Sequence, residues 1–223
     1  MEAKEDSTLA TRWSRLNRLD KQKDESSWEW FIARYRPYVA SLLRRRLGAS
    51  SGDDATDQFW GHLVEKEILQ KADRSKRFRT FLNGVIRYYV LEWRRSVGSV
   101  DRLQDDPVAI DDSVEDLEAH VWAATLVANA LKFLRNDDAR SHSILTAFYG
   151  LGTEEKRDAS AIAREHGMKP NAVHQAIRRA KVGFAGILDR EIRETVCTAA
   201  DFDDEKRILL NALSGDVRLA IGR

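Results

Sequence analysis

The chain has 223 residues, 43% of them apolar and 33% charged, with 37 Lys and Arg against 36 Asp and Glu. The apolar share suffices for a packed core and argues against wholesale disorder. Three prolines and twelve glycines are too few for a turn-rich sandwich, and a lone cysteine, Cys197, excludes a disulfide framework and any multi-cysteine zinc or iron–sulfur centre.

Residues 1–24 are polar, with Trp13, Leu16 and Leu19 at helical spacing, and read as a weak helix or a mobile arm. Ser26-x-x-Glu29 is a capping box that opens a helix over about 27–47. Trp28, Phe31, Ile32, Tyr35, Val39, Leu42, Leu43 and Leu47 form its apolar stripe, Pro37 predicts a kink or break, and Gly48 ends it. Asp53 and Asp54 start a second helix reaching about Lys66, since acids suit the positive end of the helix dipole. A basic loop, 71–77, leads to a third helix over about 78–95. One face of this helix holds Phe78, Leu82, Val85, Ile86, Tyr89 and Trp93; the other holds Arg79, Asn83, Arg87 and Arg94. Residues 97–118 lack periodicity and read as a linker. Helices return at about 117–134 and 141–149, the second closed by Gly150-Leu151-Gly152. The tail contains an amphipathic helix, 201–215, with Ile208, Leu209 and Leu213 inward. It would pack on the second domain, contact a regulator or extend the fold. The expected fold is all-α. Its predicted parts are an arm (1–24), a helical domain (25–96), an acidic linker (97–118), a second helical domain (119–189) and a C-terminal extension (190–223).

The near-zero net charge conceals blocks. Residues 34–46 carry five Arg and no acid, 71–95 eight bases against two acids, and 156–181 seven against two; 97–118 carry eight acids and one Arg. A single basic run reads first as a solvated helix face, but the repeated alternation of basic modules and an acidic strap suits a polyanion such as nucleic acid.

Residues 158–181 read DASAIAREHGMKPNAVHQAIRRAK. A helix-turn-helix needs a small residue where the helices cross, a glycine in the turn and an apolar residue packing back. Ala163, Gly167 and Val173 stand at those offsets, with Ile162, Met168 and Ile177 as further core and Pro170 in the first turn of the second helix. Val173, Ala176, Ile177, Ala180 and Phe184 share an inner face. Asn171, His174, Gln175, Arg178 and Arg179 share the outer one, where they would meet base edges or phosphates in a major groove.

Taken together, these segments resemble a bacterial RNA polymerase sigma factor of the extracytoplasmic-function group, over about 28–188. GDDATDQFWGHLVEK (52–66) looks like the family's helix that docks on core RNA polymerase. RFRTFLNGVIRYYVLEWRRS (77–96) looks like the helix that melts and reads the −10 promoter element, and 144–181 looks like the −35-reading domain. The resemblance implies that Asp54, Asp57, Phe59, Trp60 and Leu63 lie on or beneath the polymerase-docking surface. Asp57 stands where the family usually has glutamine. It further implies that Arg79, Asn83, Arg87, Arg94 and Arg95 face promoter DNA, with Tyr88 stacking on an exposed base or lying as a half-buried surface aromatic. The linker would thread the polymerase channel as a nucleic-acid mimic, or act as a solvated tether. An anti-sigma factor or other regulator is a possible partner of such a protein.

Other chemistry finds little footing. The acids at 53, 54 and 57 lack the loop and glycine of a calcium site, the five histidines include no His-x-x-x-His pair, and there is no phosphate-binding glycine loop or nucleophile elbow. No enzyme activity, metal or cofactor is expected. Cys197 fits a reducing compartment, no apolar run approaches ~18 residues, and Met1–Asp6 is unlike a signal peptide. A cytoplasmic, nucleoid-associated protein without a membrane partner is expected. The alternative is a conventional dimeric helix-turn-helix regulator that acts without core polymerase.

Overall fold

The computed structural model describes residues 25–73, 77–97, 112–151, 155–196 and 198–214. The predicted arm with Trp13, Leu16 and Leu19, most of the predicted linker, Cys197 and the side chains of Ser26, Pro170 and Leu213 lie outside what is described. Among the described residues there are eight α-helices and no strand, as the all-α expectation requires. They are α1 (Glu25–Leu47), α2 (Ala49–Glu65), α3 (Phe78–Ser96), α4 (Asp112–Asp137), α5 (Ala139–Tyr149), α6 (Ala159–Glu165), α7 (Pro170–Arg193) and α8 (Ala199–Ser214). A 3₁₀ turn, Ile68–Lys71, follows α2. No helix among the described residues is long and apolar enough to cross a membrane.

The chain falls into two compact units. Of the described residues, one unit contains those up to Trp122 together with those in 193–205, and the other contains those in 123–192 together with 206–214.

In the first unit the aromatic stripe of α1 is the spine. Phe31, Tyr35, Tyr38, Val39, Leu42 and Leu43 are buried against Ala55, Phe59, Trp60 and Leu63 of α2 and Phe78, Leu82, Ile86 and Tyr89 of α3. Edge-on ring pairs tie the three helices: Phe31 lies 5.9 Å from Trp60 and 6.0 Å from Phe78, and Phe59 lies 5.2 Å from Tyr89. Such pairs add about 0.5–1.5 kcal/mol each beyond their burial. Pro37 neither ends nor divides α1, which runs unbroken as a helix from 25 to 47. An interior proline costs about 3 kcal/mol; Tyr35, Tyr38 and Val39, buried on either side of it, more than offset that cost. Gly48 ends the helix with φ +86, a backbone that glycine adopts without steric penalty. Helix α2 then begins at Ala49, four residues before the aspartates that predicted its start. Gly52 explains the early start, because an added Cβ there would lie 2.4 Å from the Arg44 Cα. The first turn of α2 therefore rests directly on the backbone of α1.

The first turns of α4 belong to the same unit and lie where the sequence predicted linker. Trp122 buries its ring 5.0 Å from Tyr38 and 6.0 Å from Tyr35. Residues 193–205 join this unit through the Phe78 N–H, which donates to the Thr195 carbonyl at 3.0 Å, and through Arg34, which pairs with Glu194 at 2.7 Å.

In the second unit, one core cluster joins Val127, Ala130, Leu131 and Leu134 of α4 to Leu145, Ala180 and Ile187. Another joins Ile144 and Ala147 of α5 to Ile162, Ala163, Val173, Ala176 and Ile177 of α6 and α7. Asp138 caps α5, accepting from the Ser141 N–H at 2.9 Å, and Asp158 caps α6, accepting from the Ala161 N–H at 2.7 Å. Gly150 closes α5 in the left-handed region, and Gly167 takes φ +61 in the turn between α6 and α7.

Candidate nucleic-acid interface

Two polar surfaces, one in each unit, carry the residues singled out from the sequence.

On α7, Val173, Ala176, Ile177 and Ala180 are buried, while Asn171, His174, Gln175, Arg178 and Arg179 are exposed. This sidedness follows from the 3.6-residue period of the helix. The Met168 N–H donates to the Ala163 carbonyl at 2.8 Å, and with Gly167 this bond turns the chain tightly from α6 into α7. Arg178 and Arg179 form no ion pair among the described residues. Their guanidinium forks point outward from a rigid helix, and each is able to hold a phosphate or a guanine edge through two parallel bonds.

On α3 the basic row is present but engaged. Asn83, expected on the outer face, is only 7% exposed. Its side chain sits in a relay: the Tyr38 hydroxyl donates to Asn83 Oδ1, and Asn83 Nδ2 donates to Glu118 Oε2 at 2.5 Å. Burial, and then the Glu118 charge, push the Tyr38 phenol well above its ordinary range, so it stays a neutral donor. Glu118 is 2% exposed and also accepts from Arg46 and, at 2.9 Å, from Arg87. Burial pulls the Arg46 guanidinium below its usual range; Glu118 works against that shift and Arg87 adds to it. Arg79 grips Glu205, itself 1% exposed, through two bonds at 3.0 and 3.3 Å. Arg77 reaches Asp201 at 3.0 Å and Asp204 at 2.7 Å. Burial opposes the charged form of Arg77, but bonds to Asp201 and then Asp204 outweigh it and raise its affinity for the proton. Arg94 donates to the Arg46 carbonyl at 2.9 Å. Arg95 is exposed, and Tyr88 is 55% exposed with its hydroxyl bonded to Glu92. On the apolar side of α3, Phe78, Leu82, Ile86 and Tyr89 are buried as expected, and Val85 and Trp93 are half-buried.

On α2 the expected docking residues divide by face. Asp54 and Asp57 are exposed, with Asp57 paired to Arg36 at 2.5 Å, whereas Phe59, Trp60 and Leu63 lie in the core. Only the two acids belong to the surface.

Sequence reasoning missed Glu118, Glu205, Arg46 and Tyr38 as members of the α3 cluster. Two signals were available. Glu118 stands four residues before the core residue Trp122, which places both on one helix face. Glu205 falls in the inward series Phe202, Glu205, Leu209, Ala212. Among the described residues, no group of His, Cys, Asp and Glu is placed to hold a metal ion.

No family model, curated protein or solved structure matches this chain.

Proposed function

We propose that this protein is a promoter-recognition subunit of the sigma-factor kind, which binds core RNA polymerase and directs it to −35 and −10 DNA. In this reading α6 and α7 act as a helix-turn-helix. Arg178 and Gln175 read bases, and Asn171, His174 and Arg179 hold the edge of the groove or its phosphates. The α3 face, with Tyr88 and Arg95 beside it, holds the −10 strand, and Asp54 and Asp57 contact polymerase. The protein acts by binding and strand capture rather than by covalent chemistry, in the nucleoid of the cytoplasm, and an anti-sigma factor or other regulator would act on it there.

The single observation that carries this reading is the division of α7 into a buried small-residue face and an exposed face of guanidinium, amide and imidazole groups beyond a tight glycine turn. The test is selection from a randomised promoter library with Arg178→Ala and Gln175→Ala. Losing one bidentate base contact is worth about 1–3 kcal/mol, so preference at one or two upstream positions should relax by roughly tenfold while polymerase affinity holds. Unchanged preference in a folded variant would remove α7 as the reading helix.

A further inference from the structure

We infer that Glu118 and the acidic start of α8 occupy in cis the very face of α3 that a nucleic-acid strand would use, so that this face is closed until the carboxylates are displaced. The inference rests on the reading of α3 as a DNA-facing helix.

Four carboxylates, Glu118, Asp201, Asp204 and Glu205, meet four guanidiniums, Arg46, Arg77, Arg79 and Arg87. The local charge is therefore balanced, although the sequence around α3 is strongly basic. The contacts are of the kind a phosphate makes: Glu205 takes the fork of Arg79 through two bonds, and Glu118 bridges Arg46 and Arg87. Both carboxylates come from outside α3, one from α4, whose first turns overlap the predicted linker, and one from α8. A polyanion needs net positive charge and released counterions to bind. It finds neither at Arg77, Arg79 and Arg87 while these pairs stand.

The covering acids differ in depth. The side chains of Asp201 and Asp204 are 23% and 42% exposed, and that of Glu205 is 1% exposed. The Thr198 hydroxyl donates to Asp201 at 2.7 Å and, before Arg77, holds its carboxyl below the usual range. Asp201 is thus held in its charged form, yet it and Asp204 remain in contact with water. A strand would displace these first.

If the closed arrangement holds about nine-tenths of the molecules, the apparent affinity for a strand is about tenfold weaker than the intrinsic one. The test is fluorescence anisotropy of a labelled random-sequence single-stranded oligonucleotide with the full chain at fixed salt. Asp201→Asn with Asp204→Asn, and then with Glu205→Gln added, should tighten binding by up to about tenfold. Arg79→Ala in the triple background should abolish the gain. A control neutralising three exposed acids elsewhere, Glu29→Gln, Glu65→Gln and Glu67→Gln, should tighten binding less than twofold. In the wild-type chain, amide exchange over 199–205 should quicken when the oligonucleotide is added. If the wild type binds the strand through Arg79 and the triple variant binds no tighter, the closure is overturned while the DNA-facing reading stands. An equal gain in the control variant would also overturn it. No binding by any variant would overturn both.

Discussion

Replacing Glu118 with alanine removes one carboxylate on which three donors converge. Asn83 is buried, and without Glu118 its Nδ2 has no acceptor, which costs about 1–3 kcal/mol. Arg46 and Arg87 would face one another without a counter-charge. Their side chains are 18% and 31% exposed, so both regain some water and the loss falls toward the lower end of the 3–5 kcal/mol typical of breaking a buried pair on one side. The expected total is at least about 4 kcal/mol. For a chain of this size each kcal/mol moves the melting temperature by about 2–4 °C, so a fall of at least about 8–16 °C is expected. Glu118→Gln keeps one acceptor oxygen and should lose roughly half as much. Urea unfolding, followed by tryptophan fluorescence and by circular dichroism, reads the change; Trp122, one turn further along α4, reports on this part of the core. A cycle with Arg87→Ala should show coupling of at least about 0.5 kcal/mol. If Glu118→Ala costs less than about 0.5 kcal/mol, as for an ordinary surface change, the relay through Asn83 is not a structural element and the closed face on α3 loses its anchor.

Two glycines should behave differently. Gly52→Ala places a Cβ 2.4 Å from the Arg44 backbone and should cost at least about 3 kcal/mol, whereas Gly167→Ala meets open space at φ +61 and should cost about 1–2 kcal/mol, less for asparagine; thermal melts rank them, and equal losses would contradict the close approach of α1 and α2. Asp138→Ala should cost about 1 kcal/mol at neutral pH by removing the α5 cap. Bonds from the Ser141 hydroxyl and backbone depress the Asp138 carboxyl, so its contribution is complete above the ordinary aspartate range and disappears as pH falls through the depressed folded value. The wild type should therefore lose its advantage over the variant below about pH 4, and a gap that persists to pH 2 would contradict the charge-based cap. Asp54→Ala should weaken polymerase binding without lowering the melting temperature, while Trp60→Ala, a core truncation, should cost about 3–5 kcal/mol; parallel melts and pull-downs separate the two, and unchanged affinity in Asp54→Ala would remove that acid from the docking surface.

Where apolar periodicity was strong, the sequence was legible. The stripe of α1, the apolar face of α3 and the two faces of α7 lie as their spacing predicts, because burial of large side chains dominates those choices. The start of α2 was misplaced because the close approach at Gly52 is tertiary, and no local propensity signals it. The first turns of α4 read as linker because their inward group is a carboxylate, and hydropathy does not count a buried glutamate as core. The same blindness hid Glu205. The basic row of α3 was found as a row, but its pairing was not, since the partners lie more than 30 and more than 120 residues away in sequence. The outer face of α7 needed no such partner, and there residue type and spacing were enough.

The most direct test of the account adds the purified chain to sigma-free core RNA polymerase with genomic DNA and maps the 5′ ends of the transcripts. The account predicts discrete starts that share two upstream motifs, the farther of which loses definition with Arg178→Ala. No discrete starts, together with a folded protein that binds palindromic duplex as a dimer, would contradict it and identify a regulator that acts apart from polymerase.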